Sequence, residues 1–240
     1  MSVPSATARE PNLREPARAS VGKLSAWLGV IGFLITLNYV LNYTVSESDQ
    51  EKQTELFKYS TAVGSAFIYA VMLAVMLAIA GSQRGLLALR PPRSWLNALG
   101  ALLVALFASY IAIAIIDHFL HGGREQGLVP KHWHHSDLGP YAANWVVVAG
   151  VAPFVEELTF RGLGFSLLLP RLGSTFTIAA IGIIFAASHG FLQALPELAV
   201  LGCVLAWLRS RFDSVYPGMI LHGVFNSIAL AAVFWTTTGK

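Results

Sequence analysis

The stretch APFVEELTFRGLGF, residues 152–165, places two glutamates and an arginine inside a run that is otherwise apolar. Glu157 and Arg161 are four residues apart, so they share one face of a helix and can form an ion pair. Glu156 lies about 100° round the helix from Glu157, and its partner must therefore come from another helix. A charged side chain near the centre of a bilayer costs about 2.5–3.5 kcal/mol on insertion scales. Three such groups in one segment need a structural or functional reason.

Two later segments carry further polar residues in apolar surroundings. In IIFAASHGF, His189 follows Phe185 by about one helical turn, and in GMILHGVFNS, His222 and Asn226 share one helix face. If three helices turn these faces inward, Glu156 meets two imidazoles and a carboxamide. A carboxylate beside an imidazole can take a proton from water, and His and Asn can donate hydrogen bonds to the oxyanion of a tetrahedral intermediate. This set suits amide hydrolysis without a Ser or Cys nucleophile.

Each of these groups also has a purely structural interpretation. Polar side chains in membrane helices often bridge neighbouring helices, at under about 1 kcal/mol apiece. For the pair Glu157–Arg161, and for a single His or Asn, that interpretation is favoured. For Glu156, His189, His222 and Asn226 together, a functional site is favoured, because three separate segments would otherwise carry such residues by chance.

A metal site is the alternative arrangement of the same residues. Glu156, His189 and His222 could form a zinc site of two His and one Glu with an open fourth position. The HExxH signature of such sites is absent. A metal-free arrangement also gives Asn226 a function as hydrogen-bond donor, whereas Asn is a poor zinc ligand. The sequence therefore favours a site without a metal cofactor, with Zn as the alternative.

Composition indicates an integral membrane protein. Of the 240 residues, 55% are hydrophobic and 12% are charged, about half the charged fraction of soluble domains. The sequence has no long basic stripe, so we do not expect nucleic acid as a partner. We expect an all-α polytopic fold with a disordered polar tail (1–22), N-terminal transmembrane helices (23–141) and site-bearing helices (142–236) in one membrane domain. The apolar runs predict seven transmembrane helices, at 25–43, 59–81, 95–120, 142–169, 175–191, 196–210 and 215–236.

The distribution of basic residues predicts the orientation. With the N-terminus inside, ten Lys and Arg fall on the inner side, five fall on the outer side, and Arg161 lies within a span, which favours a cytoplasmic N-terminus. Counted from the predicted helix ends, Glu156 and His189 lie about 21–23 Å from the inner boundary and His222 about 12 Å. A second group of histidines falls in or beside an outer loop, where a solvated loop is favoured over a metal or pH-sensing patch. These are His118, His121, His132, His134 and His135.

The three polar segments also carry a family resemblance. EELTFRG matches the pattern EExxxR, FAASH matches FxxxH and HGVFN matches HxxxN. In order and separation, over about residues 142–230, they resemble the CPBP family, also called the ABI family. This family comprises type II CAAX prenyl endopeptidases and bacteriocin-processing or immunity proteins.

The resemblance implies a role for each matched residue. Glu156 would be the general base, with His189 assisting it, and His222 and Asn226 would form the oxyanion hole. Glu157 and Arg161, with Phe185, would support the site. It also implies an integral membrane protein, with lipids as surroundings and a peptide or lipidated protein as substrate. The short chain fits a prokaryotic member, so we expect a prokaryotic plasma membrane. The alternatives are a non-catalytic membrane immunity or scaffold protein, and a small transporter with Glu156 as proton carrier.

Overall fold

The structure is a computed structural model that describes residues 21–44, 54–120 and 137–238. Within these ranges every regular element is helical, which confirms the predicted all-α class. The helices are α1 (Val21–Thr44), α2 (Tyr59–Ala80), α3 (Trp95–Leu120), α4 (Leu138–Val146), α5 (Ala152–Glu157), α6 (Phe165–Ala187), α7 (Leu195–Phe212) and α8 (Tyr216–Thr238). Short 3₁₀ turns lie at Glu55–Phe57 and Arg84–Leu87. Residues 1–20 of the predicted tail, and His121, His132, His134 and His135, lie outside the described residues.

Four helical stretches of the described chain are long and apolar enough to cross a membrane. Three are α1, α2 and α3, and the fourth runs from Leu138 to Ala187. The fourth is interrupted at Gly173, where the backbone leaves helical geometry with φ 70°. The predicted count of seven spanning helices is therefore not confirmed. Large apolar side chains are exposed along α2 and α3, among them Phe67 and Phe107, as expected for helices that face lipid.

From Leu138 to the break at Gly173 the chain is continuously helical and contains two π-helical segments. Val147–Val151 and Leu158–Gly164 are π-helical and flank α5 on both sides. Single π turns inside α-helices are rare and occur frequently at functional sites. The short α5 between them carries Glu156 and Glu157.

Side chains from other helices hold the second π segment. The indole Nε1 of Trp27, a fully buried residue of α1, donates to the Thr159 carbonyl at 3.0 Å. On the other side, Nε of Arg209 from α7 donates to the Arg161 carbonyl at 3.0 Å. Phe160 and Phe165 are buried in the main hydrophobic core beside Trp27. Hydrogen bonds from α1 and α7 therefore hold the second π segment in place.

Two glycines allow α6 and α7 to pack closely. A Cβ atom added to Gly202 of α7 would lie 2.7 Å from the Gly182 carbonyl oxygen of α6. Small residues at such crossings let helix backbones approach each other in membranes. The approach also brings the Gly202 carbonyl within reach of Arg161, whose NH2 donates to it at 3.0 Å.

An acidic residue ties the end of α7 to the segment before α3. Asp213, just after α7, accepts hydrogen bonds from Arg90 at 2.5 Å and from Arg209 at 2.8 Å. Burial acts to raise the pKa of Asp213, but the hydrogen bonds from Arg90 and Arg209 outweigh it and hold that pKa below its ordinary value. The Val215 N–H donates to the buried Ala88 carbonyl at 3.2 Å. As a result, α8 begins inside the protein.

Candidate active site

Glu156 projects from α5 and meets side chains from two other helices. Its Oε1 accepts a hydrogen bond from the Tyr69 hydroxyl of α2 at 2.7 Å. Its Oε2 lies 3.8 Å from Nε2 of His222 on α8, which is an ion-pair distance. The Glu156 side chain keeps 12% of its surface exposed. The partners of this carboxylate do come from other helices, as the helix geometry predicted.

The neighbouring Glu157 lies deeper and forms the ion pair expected from its spacing to Arg161. Arg161 NH1 donates to Glu157 Oε1 at 2.9 Å, and both side chains have no exposed surface. The same Oε1 lies 3.3 Å from Nδ1 of His222. Because an ionised carboxylate only accepts hydrogen bonds, Nδ1 of His222 is the donor in this contact. The ring therefore presents Nε2 towards Glu156.

Phe185 is the packing centre of the site. Its ring is fully buried and stands edge-on to the rings of His189 and His222, with centroid distances of 4.7 and 5.7 Å. The guanidinium carbon of Arg161 lies 4.2 Å from the Phe185 ring centroid, within cation–π range. One aromatic side chain thus sets the relative positions of both imidazoles and the buried cation.

His189 lies just beyond the end of α6. Its Nδ1 is 2.8 Å from the Phe185 carbonyl oxygen, so the ring is tied to the last turn of that helix. The next residue, Gly190, has φ 75° and is buried. A side chain is strained in this left-handed conformation, which glycine adopts readily. The glycine lets the chain turn sharply immediately after His189.

Two asparagines of α1 hold this turn from outside. The Asn38 side chain donates to the Ser188 carbonyl at 2.6 Å, and the Asn42 side chain donates to the Gly190 carbonyl at 3.1 Å. Carbonyls at the end of a helix have no partner within the helix. The asparagines satisfy them and connect α1 to the position of His189.

Asn226 makes a contact that the sequence interpretation did not include. Its Nδ2 donates to the Val148 carbonyl at 2.9 Å. In the first π segment the Ala152 N–H bonds to the Val147 carbonyl, five residues back. In the same register the Val148 carbonyl would take its bond from residue 153, which is Pro153 and has no N–H. Asn226 supplies the missing donor.

All four residues predicted to be catalytic border one cavity of about 400 Å³. Glu156, His189, His222 and Asn226 line it together with Tyr69. The rest of the wall is mainly apolar, with Phe185, Phe191, Leu201 and Phe225 among its residues. A mostly apolar cavity with a few convergent polar groups is the usual form of a small-molecule or substrate site.

Several residues at this site were not found from the sequence. Asn38 and Asn42 lie on α1 and Tyr69 lies on α2, where no motif distinguishes them from the other polar residues of these mainly apolar helices. Glu197, a buried residue near the start of α7, also lines the cavity. The signal in the sequence was a polar side chain inside an apolar run. Many residues with a purely structural role give the same signal.

Glu156, His189 and His222 are the residues of the zinc alternative predicted from the sequence. Over residues 21–44, 54–120 and 137–238, no group of three or more His, Cys, Asp and Glu side chains could hold a metal ion. His189 directs Nδ1 to the Phe185 carbonyl, and His222 directs Nδ1 to Glu157. The absence of a zinc cofactor at Glu156, His189 and His222 stays a prediction.

Comparison with known proteins gave a match, which covers the C-terminal helices. Residues 138–228 match a family described as "Type II CAAX prenyl endopeptidase Rce1-like". This match agrees with the resemblance that the three motifs indicated, and the long apolar helices indicate an integral membrane protein. The match begins at the start of α4 and ends within α8, so α1, α2 and α3 lie outside it. Comparisons with curated proteins and with solved structures gave no match.

Proposed function

We propose that this chain is an intramembrane endopeptidase that hydrolyses a peptide bond near the membrane face with a water molecule activated by Glu156. The observation that carries the proposal is the shared cavity, where this carboxylate lies among His189, His222 and Asn226. The match of residues 138–228 to a CAAX-protease-like family supports the reaction class.

The proposed mechanism has no covalent intermediate. Glu156 takes a proton from water, whose oxygen bonds to the carbonyl carbon of the scissile peptide and forms a tetrahedral oxyanion. The protonated Glu156 then gives the proton to the amide nitrogen, and the C–N bond breaks to release an amine and a carboxylic acid. His189 borders the cavity and assists by orienting the water.

His222 and Asn226 supply the donors to the oxyanion. Because Glu157 accepts from Nδ1 of His222, Nε2 is the nitrogen that donates to the substrate oxygen, in the protonated ring. The Asn226 carboxamide has two N–H donors, of which one is used by Val148. The second N–H is available to the substrate. Donors fixed in advance in a cavity of low polarity stabilise developing charge well.

No step of this mechanism uses a metal ion. A metal-free reaction predicts that cleavage persists after chelation, with metal removal verified by elemental analysis. Zinc-dependent recovery of a chelated, inactive enzyme would contradict this part of the proposal.

We also propose the setting in which the site works. The substrate is a peptide segment or lipidated protein that reaches the cavity from the membrane. The bundle crosses a prokaryotic plasma membrane seven times with a cytoplasmic N-terminus. Support for this orientation comes from two basic contacts at helix ends. Lys23 donates to the Ala80 carbonyl, and Arg90 and Arg209 both donate to Asp213.

The decisive experiment replaces Glu156 by Gln, which keeps the size and hydrogen bonding of the side chain but cannot accept the proton. Membrane proteomes of cells with the wild type and with Glu156→Gln are compared for a precursor that accumulates, and that precursor is then tested with purified enzyme. We expect cleavage to fall by about 10²–10⁴-fold, with an unchanged melting temperature.

Glu55→Gln is the matched control, since Glu55 lies outside the cavity and bonds Lys58 and Thr61; it should cleave like the wild type. A Glu156→Gln variant that retains its cellular phenotype and yields no precursor would indicate a scaffold or immunity protein. Loss of proton-coupled flux without a peptide product would indicate a transporter.

A further inference from the structure

Tyr69 makes the shortest contact to the candidate base, and nothing in the three motifs accounts for it. Its hydroxyl donates to Glu156 Oε1 at 2.7 Å across 87 residues of sequence. Tyr69 lies on α2, outside residues 138–228, and its side chain borders the cavity. The contact therefore connects the N-terminal helices directly to the chemistry of the C-terminal ones.

The two oxygens of Glu156 have different neighbours. Oε1 is held by Tyr69, whereas Oε2 lies 3.8 Å from Nε2 of His222. A hydrogen bond to one oxygen fixes the rotation of the carboxylate about its last bond, and hydrogen bonds to ionised groups are roughly twice as strong as neutral ones. With Oε1 held, Oε2 is the oxygen left to accept a proton beside His222.

We propose that Tyr69 is a positioning residue for the hydrolytic reaction, because it orients Glu156 so that Oε2 faces the water to be activated. This inference rests on the proposed function. The side chain needs no proton transfer of its own; its hydroxyl only donates. A displacement of about 1 Å at a catalytic group can cost 10²-fold in rate, so a single hydrogen bond on the base has a large effect.

The same hydrogen bond could serve only to join α2 to α5, and the test must separate the two roles. Tyr69→Phe removes the hydroxyl and keeps the ring. We expect kcat to fall about 10- to 100-fold while KM changes by less than about 2-fold. A merely structural role would lower the melting temperature and leave the kcat of the folded enzyme unchanged.

Tyr141→Phe is the matched control. Tyr141 is buried, and its hydroxyl donates to the Leu230 carbonyl at 2.7 Å. The variant Tyr141→Phe also loses a hydroxyl that makes a 2.7 Å hydrogen bond, but the acceptor of that bond is the Leu230 carbonyl and not Glu156. We expect Tyr141→Phe to alter thermal stability only. Equal kcat values for Tyr69→Phe and Tyr141→Phe would overturn the inference.

Infrared spectroscopy provides a readout that does not depend on a known substrate. The bands of the Glu156 carboxyl group are those present in the wild type and absent from Glu156→Gln. A second difference spectrum, between Tyr69→Phe and the double variant Tyr69→Phe, Glu156→Gln, gives the same bands without the tyrosine hydroxyl. We expect these bands to shift when the hydroxyl is absent. Unshifted bands in an active enzyme would overturn the role of Tyr69 alone. If the bands shift but the wild type cleaves no peptide, the hydrogen bond from Tyr69 to Glu156 is supported and the proposed function is overturned.

Discussion

The buried pair of Glu157 and Arg161 organises the site without bordering the cavity. Glu157 Oε1 accepts from Arg161 and from His222 Nδ1, while Arg161 also donates to the Gly202 carbonyl and stacks on Phe185. Each charge thus has a partner and a second contact that positions a neighbouring group. A buried pair often adds little net stability compared with apolar residues, but removing one partner leaves an uncompensated charge.

Arg161→Met should therefore be strongly destabilising, because Glu157 would remain buried without its cation. We expect the free energy of unfolding to fall by about 3–5 kcal/mol, measured by equilibrium unfolding in mixed detergent micelles. The double variant Glu157→Gln, Arg161→Met removes both charges and should recover part of that loss. Equal stability of the single and double variants would contradict this account of the pair.

At the scale of helices, the sequence predicted the first three well and the later ones less well. The predicted runs 59–81 and 95–120 agree with α2 and α3 to within one residue, because charged or polar segments bound each apolar run. The run predicted from 142 to 169 begins instead at Leu138. Its two π segments were not predicted, since hydrophobic periodicity reports buried faces and not the number of residues in one turn.

The position of His222 shows why the site was only partly predictable. Helix counting placed it about 12 Å from the inner boundary and Glu156 about 21–23 Å from it, yet the two side chains lie 3.8 Å apart. The count assumed that α8 starts at the membrane surface. Instead, Ser214 and Val215 are fully buried, and Val215 bonds to the Ala88 carbonyl. Such a start depends on a contact between distant segments, which local sequence does not encode.

The contact of α1 with the turn after α6 leads to a prediction about a helix that lies outside the family match. Replacing both Asn38 and Asn42 by Ala leaves the carbonyls of Ser188 and Gly190 without these donors, so His189 should be held less firmly. We expect kcat to fall about 10-fold, with a loss of stability near 1 kcal/mol for each hydrogen bond. Peptide cleavage and thermal unfolding measure the two effects.

Thr36→Ala is the control within the same helix. Thr36 is also on α1, and among the described residues its hydroxyl bonds within its own helix, to the Gly32 carbonyl at 2.9 Å. It should leave kcat unchanged. If the double asparagine variant cleaves as fast as Thr36→Ala, then α1 does not position His189.

For the whole molecule, the ends of the bundle differ in charge. The described helix ends near Lys23 and Arg90 carry nearly all of the described Lys and Arg, whereas Lys58 lies at the opposite end of α2. Lys23 donates to the carbonyls of Ile79 and Ala80, which places the start of α1 beside the end of α2. The basic end of a membrane protein generally faces the cytoplasm.

Cysteine labelling at the two ends of α2 tests this orientation. Ser60 and Ser82 are exposed and lie at opposite ends of α2, which at 1.5 Å per residue is about 33 Å long and matches the bilayer core. The chain has one cysteine, so Ser60→Cys and Ser82→Cys in a Cys203→Ala background each present a single thiol. In intact cells we expect a membrane-impermeant maleimide to label Ser60→Cys at once and Ser82→Cys only after permeabilisation. The reverse pattern would place the basic end outside and contradict the orientation. The Cys203→Ala variant without either added cysteine is the control, because it gives the level of nonspecific labelling.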